Sequence, residues 1–582
     1  MRNVAALLKR RAEENPRAEH LRYRDGSVVA SMDRRTFALR AGGWASILRG
    51  RGCGRGHRVV VVTEKSPDQL RAFFAIFATG ATVVPLCEEL PVEELRFLIE
   101  DSEPTLALAS PAFFEKVKEA AGDLPVISFE DLPREAEAKY EAGPASQDDT
   151  ACILYTSGST GKPKGVMLTH RNLLANSSSS AELIEAGRGD VVMSILPYWH
   201  SFALTVELFT LLWVQGSVAV PADKRDFIRN VDQFQPTIIL IVPRIAEILR
   251  RSLEEAVRSL PPFKRKLFEK AYANACRVCT DEPREAGSLF DRLMRRIYLA
   301  TVFRPIRKRF GGRLRFFVSG GAPLHKDYQV HFKRLGIPIF QGYGLTESAP
   351  VVSASSPSRH RLGTAGKLAS WLSAERGGDY LLEDETGRRS KQGPGELLLR
   401  GACVMKGYWK RPKEAAEALK DGWLHTGDLG QVDSDGFLTL AGRRSSLVCL
   451  VGGEKFHPEP IEARLKMSPY IADCIVYGEG RKNAYALIVL EEETTKGMGP
   501  AEVRFLVKQD IDRLLSQSPP HWKPRDFEFV EPFSVEAGLL TATMKVKRAA
   551  VLAYWAKTVE ALDVRNGEVV LDRSGSLPSE SE

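Results

Sequence analysis

The stretch RVVVVTEKSPDQLRAFFAIFATGATVVPL, Arg58 to Leu86, decides the fold class. RVVVVTE is a short apolar run rich in β-branched residues and reads as a buried strand. SPDQLRAFFAIFATG opens with Ser66 as a cap and Pro67 in the first turn, where a missing amide proton costs nothing, and continues as a helix. TVVPL returns to strand. PVEELRFLIEDS, TLALAS and FFEKVKEAAG repeat the alternation. Such alternation predicts a doubly wound, mostly parallel sheet, with ligands beyond the carboxyl ends of its strands.

Working outward, TIILIVP feeds the helix RIAEILRRSLEEAVRSL, and a long helical section runs up to Phe310. Two strand-then-glycine turns follow, RLRFFVSGGAP and PIFQGYGLTES. From about Arg443 the texture changes. SSLVCLVGG, ADCIVYGEG, AYALIVL and FEFVE read as strands, IEARLKMSP and AEVRFLVKQDIDRLLSQS as helices. That is the size of a compact α+β domain of roughly a hundred residues. The expectation is an α/β protein with a large N-terminal domain over residues 1–442 and a small C-terminal domain over 447–565. The polar tail, 566–582, is expected to be disordered. Residues 132–149 are charged and Ala/Gly-rich and read as a linker between subdomains.

The bulk numbers exclude several classes. A chain of 582 residues is too long for one core. Its 43% hydrophobic and 27% charged content is that of a globular protein, not a disordered one. The first twenty residues show no secretory signal. Eight cysteines make no disulfide framework in so long a chain, and the lone Cys276–Cys279 pair lacks the partners of a zinc site. The apolar region 191–221 is interrupted by His200, Glu207 and Gln215 and reads as core or pocket lining. A reducing cytoplasm is the expected setting. The net charge of +8 is uneven: Asp291 to Arg315 holds nine Arg/Lys against one Asp. Leu293, Ile297, Ala300 and Phe303 sit at helical spacing among those charges, until Pro305. A basic amphipathic helix of this kind rests on an anionic membrane surface or presents a solvated face. No nucleic-acid motif is visible, and the basic residues are not interleaved with stacking aromatics, so no nucleic-acid partner is expected. No pattern specifies an oligomer.

YTSGSTGKPKG, from Tyr155, concentrates hydroxyls on Thr156, Ser157, Ser159 and Thr160 and positive charge on Lys162 and Lys164. Gly158, Gly161 and Gly165 let the backbone approach a ligand closely, and exposed amides make an anion-binding concavity. A polyphosphate fits it; a flexible surface loop is the alternative. It is not a Walker A loop, because Gly161-Lys162 is followed by Pro163.

YTSGSTGKPKG, SGGAPL, QGYGLTES, GWLHTGDLG, DGFLTLAGR and TATMKVKR occur in this order. Together they resemble the adenylate-forming superfamily, and in detail its long-chain acyl-CoA synthetases. The resemblance implies that a carboxylate attacks the α-phosphate of ATP to give acyl-AMP and pyrophosphate, and that CoA thiolate then displaces AMP. Attack brings two anions together, so positive charge in a dry, preorganised site is needed. The resemblance gives that role to Lys545, with Lys547 as the alternative and Arg548 as the motif's arginine. It places Thr156, Ser157, Gly158, Ser159, Thr160, Gly161 and Lys164 around the β- and γ-phosphates. Gly320, Gly321, Ala322 and Pro323, with Gln341, Gly342, Tyr343 and Gly344, would frame the adenine, Tyr343 stacking on it. Thr346 would contact phosphate, and Glu347 would hold Mg²⁺. Asp428 would accept the ribose hydroxyls with Arg443 assisting. Gly453 would line the pantetheine passage, and Lys455 would meet a CoA phosphate. His200 would stand between the carboxylate site and an apolar acyl pocket; a core histidine is the alternative.

Relatives rotate the small, mobile domain about a hinge, here Arg443 to Ser446. Ser445 departs from the usual Asp or Lys there, Ala542 from the usual Pro, and residues 368–386 match no pattern. The implied ligands are ATP, Mg²⁺, CoA and a fatty acid. A carrier-protein pantetheine is the alternative acceptor, and a catalytically weak acyl-nucleotide binding protein the alternative of another class.

Overall fold

The computed structural model describes residues 1–156, 163–280, 286–541 and 546–568. By its contacts the chain divides into two compact units. The first takes residues 1–393, 397–426 and 431–439; the second takes 394–396, 427–430 and the chain from Leu440 on.

Arg58–Val62 is a strand, Pro67–Thr79 a helix and Thr82–Leu86 a strand, as the opening stretch predicts. The Ser66 side chain accepts from the Gln69 amide and caps the helix, and Gly80 closes it at a φ of 88°. These strands lie at the centre of a seven-stranded sheet. Its order is Gly407–Tyr408, Lys164–Thr169, Thr150–Thr156, Thr82–Leu86, Arg58–Val62, Leu106–Ala109 and Val126–Ser128. The last five run parallel. Val59 to Val62 are all buried, so the run is continuously apolar instead of alternating. A second sheet, of nine strands, has Leu-, Ile- and Phe-rich parallel strands at its centre, among them Val191–Met193, Ile238–Ile241, Phe316–Ser319 and Ile339–Gly344. Antiparallel strands edge both sheets. The first unit is therefore doubly wound and mostly parallel.

Within the second unit, Ile471–Tyr477, Tyr485–Leu490 and Asp526–Val530 form a three-stranded sheet. One face packs on the helices Pro458–Leu465 and Pro500–Leu514 through Ile461, Leu465, Val503, Val507 and Ile511. This is the α+β domain expected after Arg443.

Three expectations need correction. Residues 132–149 are not a free linker. The Ala138 amide donates to the Leu39 carbonyl at 3.0 Å, and the buried Tyr140 hydroxyl donates to Phe74 at 2.9 Å. They lie so close to the helix Arg34–Gly50 that a Cβ on Gly43 would stand 2.1 Å from the Ala136 carbonyl oxygen. The basic segment is not one amphipathic helix running to Pro305. The helix Leu289–Ala300 ends first, and Pro305 sits in the opening turn of a separate helix, Arg304–Arg309, where proline is favoured. Phe303 is fully buried. Residues 566–568 are not disordered: the helix Ala556–Asn566 ends on Gly567, and Glu568 accepts from the Lys482 amide at 2.8 Å and the Tyr485 hydroxyl at 2.5 Å. The rest of the tail lies outside the described residues. Residues 368–386, which match no sequence pattern, contribute to packing. Trp371 is 1% exposed, and its indole N–H donates to the Val351 carbonyl at 2.7 Å.

The region 191–221 is core. Ala203–Thr210 is a fully buried π-helix continued by the short helix Leu211–Val214. Among the described residues, no helix is long and apolar enough to cross a membrane.

Candidate active site

Thr156 ends one strand and Lys164 begins the next, and the two are directly opposed in an antiparallel register. The strands on either side of the hydroxyl- and glycine-rich stretch thus pair antiparallel with each other. KGVMLT forms the second strand, and the helix His170–Leu183 follows it. The hairpin brings the Thr156 hydroxyl and the Lys164 ammonium to one mouth. Ser157, Gly158, Ser159, Thr160 and Gly161 lie outside the described residues.

Lys164 lies over the ring of Tyr408, its Nζ 5.3 Å from the centroid. The Tyr408 hydroxyl donates to Glu347 Oε1 at 2.8 Å, and the Glu347 carbonyl accepts from the Met405 amide at 2.8 Å. Glu347 is therefore fixed at both backbone and carboxylate, the latter by the tyrosine whose ring meets the Lys164 ammonium. Among the described residues no three His, Cys, Asp or Glu side chains cluster as a metal cage. One carboxylate with a neighbouring hydroxyl suits magnesium, which keeps waters and completes its shell with phosphate oxygens. Thr346, buried, shares a hydrogen bond of 3.2 Å with Ser201. That contact ties the 346–347 turn to the loop carrying His200.

Gly320 to Pro323 follow the strand Phe316–Ser319, and Gln341 to Gly344 end the strand Ile339–Gly344. Both lie at the carboxyl ends of parallel strands, where the topology expects a ligand. A Cβ on Gly320 would press on the Phe202 ring at 3.1 Å. Gly321, at a φ of +81°, has nothing nearer its Cβ position than Val242 at 3.9 Å. The pair leaves a bare backbone floor there. Gln341 is held by Gln329 at 3.2 Å.

His200 is half-buried in the loop between the strand Val191–Met193 and the π-helix, its amide bonded to the Pro197 carbonyl at 3.1 Å. A polar network that the sequence did not reveal braces this loop. Lys65 donates to Ser194 Oγ at 2.6 Å and to the Leu196 carbonyl, and pairs with the fully buried Glu207 at 3.0 Å. Ser194 also bonds Glu207 and, at 2.7 Å, the Tyr198 hydroxyl. Burial depresses the Lys65 ammonium, and the Glu207 carboxylate opposes that shift. Next to it, Trp199 donates to Glu88 at 3.2 Å, and burial raises the Glu88 carboxyl.

In the second unit, Asp428 is 8% exposed and accepts from Arg443 Nε at 3.1 Å. A second acid missed by sequence reasoning, Glu396, accepts from the Gly427 amide and from Arg444, each at 3.0 Å. No pattern in PGELLLR marks Glu396, which is buried in line with Leu397, Leu398 and Leu399. The expected hinge forms a single 3-10 turn, Arg444–Ser446. Gly453 has a φ of +87°, and Lys455, exposed, opens the strand Lys455–Phe456. Lys545 lies outside the described residues. The chain on either side of it is pinched, with Leu540 bridged to Val546 and the Lys547 amide donating to the Leu539 carbonyl at 2.8 Å. Arg548 is spent on the fold: it pairs with Glu462 at 2.7 Å and donates to the Val476 carbonyl at 2.8 Å.

The family described as AMP-binding enzyme matches residues 8–409, and its C-terminal domain matches residues 445–565. The chain belongs to the AMP-binding enzymes. A long-chain-fatty-acid–CoA ligase of Mycobacterium bovis is 29% identical to this AMP-binding enzyme over 549 residues, covering 88% of each chain. A chloroplastic long-chain-fatty-acid–[acyl-carrier-protein] ligase of Arabidopsis thaliana is 27% identical and covers 89% of this chain and 81% of its own. The crystal structure of an anthranilate CoA ligase in complex with anthranoyl-AMP superposes with a TM-score of 0.75 at 22% identity, covering 95% of this chain and 97% of that one. The two-domain fold of the AMP-binding enzyme is thereby that of adenylate-forming enzymes.

Proposed function

We propose that this chain is a long-chain fatty acid–CoA ligase. A fatty-acid carboxylate oxygen attacks the α-phosphorus of ATP, the bond to pyrophosphate breaks, and acyl-AMP forms. The CoA thiolate then attacks the acyl carbon, and AMP leaves with the bonding electrons. The observation that carries this reading is the linked set Lys164, Tyr408, Glu347, Thr346 and Ser201. It joins the mouth of the phosphate-loop hairpin to the loop of His200 through hydrogen bonds of 2.8 and 3.2 Å and a cation–ring contact.

In this reading Thr156 to Lys164 take the β- and γ-phosphates, Gly320 to Pro323 and Gln341 to Gly344 the adenine, and Asp428 with Arg443 the ribose. Thr346 meets phosphate, and Glu347 holds Mg²⁺, which neutralises phosphate charge when bound. His200 faces the carboxylate end of an acyl pocket. Lys545 bridges carboxylate and α-phosphate, Gly453 and Lys455 serve CoA, and residues 443–446 act as the hinge between half-reactions. The partners are a fatty acid, CoA and an anionic membrane surface met peripherally from the cytoplasm. Similarity to the Arabidopsis acyl-carrier-protein ligase favours a second acceptor, a carrier-protein pantetheine.

AMP release across a chain-length series of fatty acids, with ATP and Mg²⁺ and with or without CoA, tests the proposal. CoA-dependent AMP release that rises with chain length is the expected result. Each buried methylene adds about 0.8 kcal/mol. Pyrophosphate release without CoA-dependent turnover would point to the carrier protein instead.

A further inference from the structure

The helix Leu289–Ala300 is amphipathic in the wrong sense for a helix that ends its interactions at the protein core. Arg295 and Tyr298 point inward, and Arg295 is buried, its guanidinium donating to the Arg334 and Lys333 carbonyls at 2.8 and 2.7 Å. The outward face carries Leu289, Leu293 and Ile297, spaced i, i+4, i+8, which are 84%, 56% and 45% exposed. A surface helix ordinarily turns such a stripe inward. Phe290 stands beside it, 69% exposed, and Arg292 and Arg296 flank it, both exposed. Asp291, the helix's one acid, is turned onto its neighbours, bonded to Asn274 at 3.2 Å and paired with Arg277 at 3.0 Å.

Those bonds align the helix Pro262–Val278 alongside as the other arm of a hairpin, and Phe268 meets Phe303 edge-on at 5.5 Å at the far end. The first turns of that arm repeat the pattern. Phe263 and Leu267 are exposed at i and i+4, with Lys264, Lys266 and Lys270 around them. Two neighbouring helices thus offer apolar side chains to solvent, with cations and almost no anions between them.

We infer that this helical hairpin is a docking face for an anionic lipid bilayer, into which Leu289, Phe290, Leu293 and Ile297 insert while Arg292 and Arg296 meet the headgroups. Charge complementarity selects this occupant: an apolar protein partner would gain nothing from the flanking cations, whereas an anionic leaflet gains from both. The inference deepens the ligase reading, because a long-chain acid resides in bilayers and this face would bring the enzyme to it.

Flotation with vesicles of phosphatidylcholine, with and without phosphatidylglycerol, tests it on the full chain. The wild type is expected to float with phosphatidylglycerol vesicles and at least tenfold less with phosphatidylcholine alone. Leu289→Ser/Leu293→Ser/Ile297→Ser should cut partitioning at least tenfold. Arg292→Gln/Arg296→Gln should cut it about twenty-five-fold at low salt, since each basic residue near an anionic leaflet contributes about fivefold. Both variants alter solvent-facing side chains and should keep wild-type AMP release with a water-soluble shorter-chain acid. A wild type that fails to float, or variants that float as well as it does, would overturn the inference. So would a solution dimer that the triple serine variant makes monomeric, because the face would then belong to a second copy. A wild type that turns over but fails to float removes only the docking face. Flotation without any ATP-dependent turnover removes only the ligase reading.

Discussion

Tyr408 touches the site twice, through its hydroxyl to Glu347 and through its ring to Lys164. The two contacts can be separated. Tyr408→Phe keeps the ring and frees the carboxylate, so the Mg²⁺ concentration for half-maximal turnover should rise several-fold. Binding of Mn²⁺–ATP, followed directly, should weaken with it. Tyr408→Leu should add a loss at the phosphate loop, seen as a higher KM for ATP at saturating Mg²⁺. An unchanged metal dependence in Tyr408→Phe would remove Glu347 from the metal. Asp428 presents a different case, since its carboxylate already accepts from Arg443. Asp428→Ala removes a charged acceptor, and such hydrogen bonds are worth about 1.5–3 kcal/mol. ATP binding should weaken by roughly ten- to a hundredfold, a range set by that energy, and calorimetry with ATP would detect it. Unchanged affinity would refute the ribose assignment. The motif TATMKVKR shows what residue types alone convey: a basic cluster is plain in the sequence, but only packing shows that Arg548 is committed to Glu462.

At the scale of elements, the loop of His200 is braced by the buried pair Lys65–Glu207, which joins the segment after the strand Arg58–Val62 to the π-helix. Breaking such a pair from one side leaves an uncompensated buried charge and costs about 3–5 kcal/mol. Glu207→Leu should therefore lower the urea midpoint substantially. Lys65→Met/Glu207→Leu should recover most of it, because the Coulombic gain of a buried pair barely exceeds its desolvation cost. If the double variant is stable yet has a raised KM for the fatty acid with little change in kcat, the pair acts by positioning the loop. If its kinetics match the wild type, the pair serves packing alone. Neither partner was legible in the sequence as a pair. They are 142 positions apart, and a lone Glu in an apolar run reads only as an interruption. The strands and helices of residues 58–121 were legible because each carries its own period, and the first helix also its Ser66 cap. The hairpin after Thr156 was not, because a loop of Gly, Ser and Lys says how freely the chain turns but not which strand it returns beside.

For the whole molecule, two buried imidazoles, His20 and His170, and the half-buried His331 link stability to pH. Burial lowers His20 to about 3, and His170 and His331 to about 4. The unfolded value is about 6.5. Between about pH 6.5 and 4 the unfolded chain binds protons that the folded chain refuses, so stability is complete above that window and is lost as pH falls through it. Each histidine contributes about 1.4 kcal/mol per pH unit there. Urea midpoints should hold steady from pH 8 to 7 and decline from pH 6 to 5. His170→Gln, which keeps an acceptor for the Val4 amide, should flatten the decline. A decline of equal slope would exclude His170 as a contributor. The sequence by itself determined the parallel α/β architecture, the change of texture near Arg443 and the ordered motifs, because strand and helix periods and glycine-bearing turns are local properties of the chain. Tertiary structure alone decided which face of the helix Leu289–Ala300 meets solvent and that Arg295 and Phe303 are buried. It also decided that residues 132–149 pack against Gly42 and Gly43, and that Tyr408 holds Glu347. Each of these depends on which distant segment supplies the neighbouring atoms, and no local pattern carries that information.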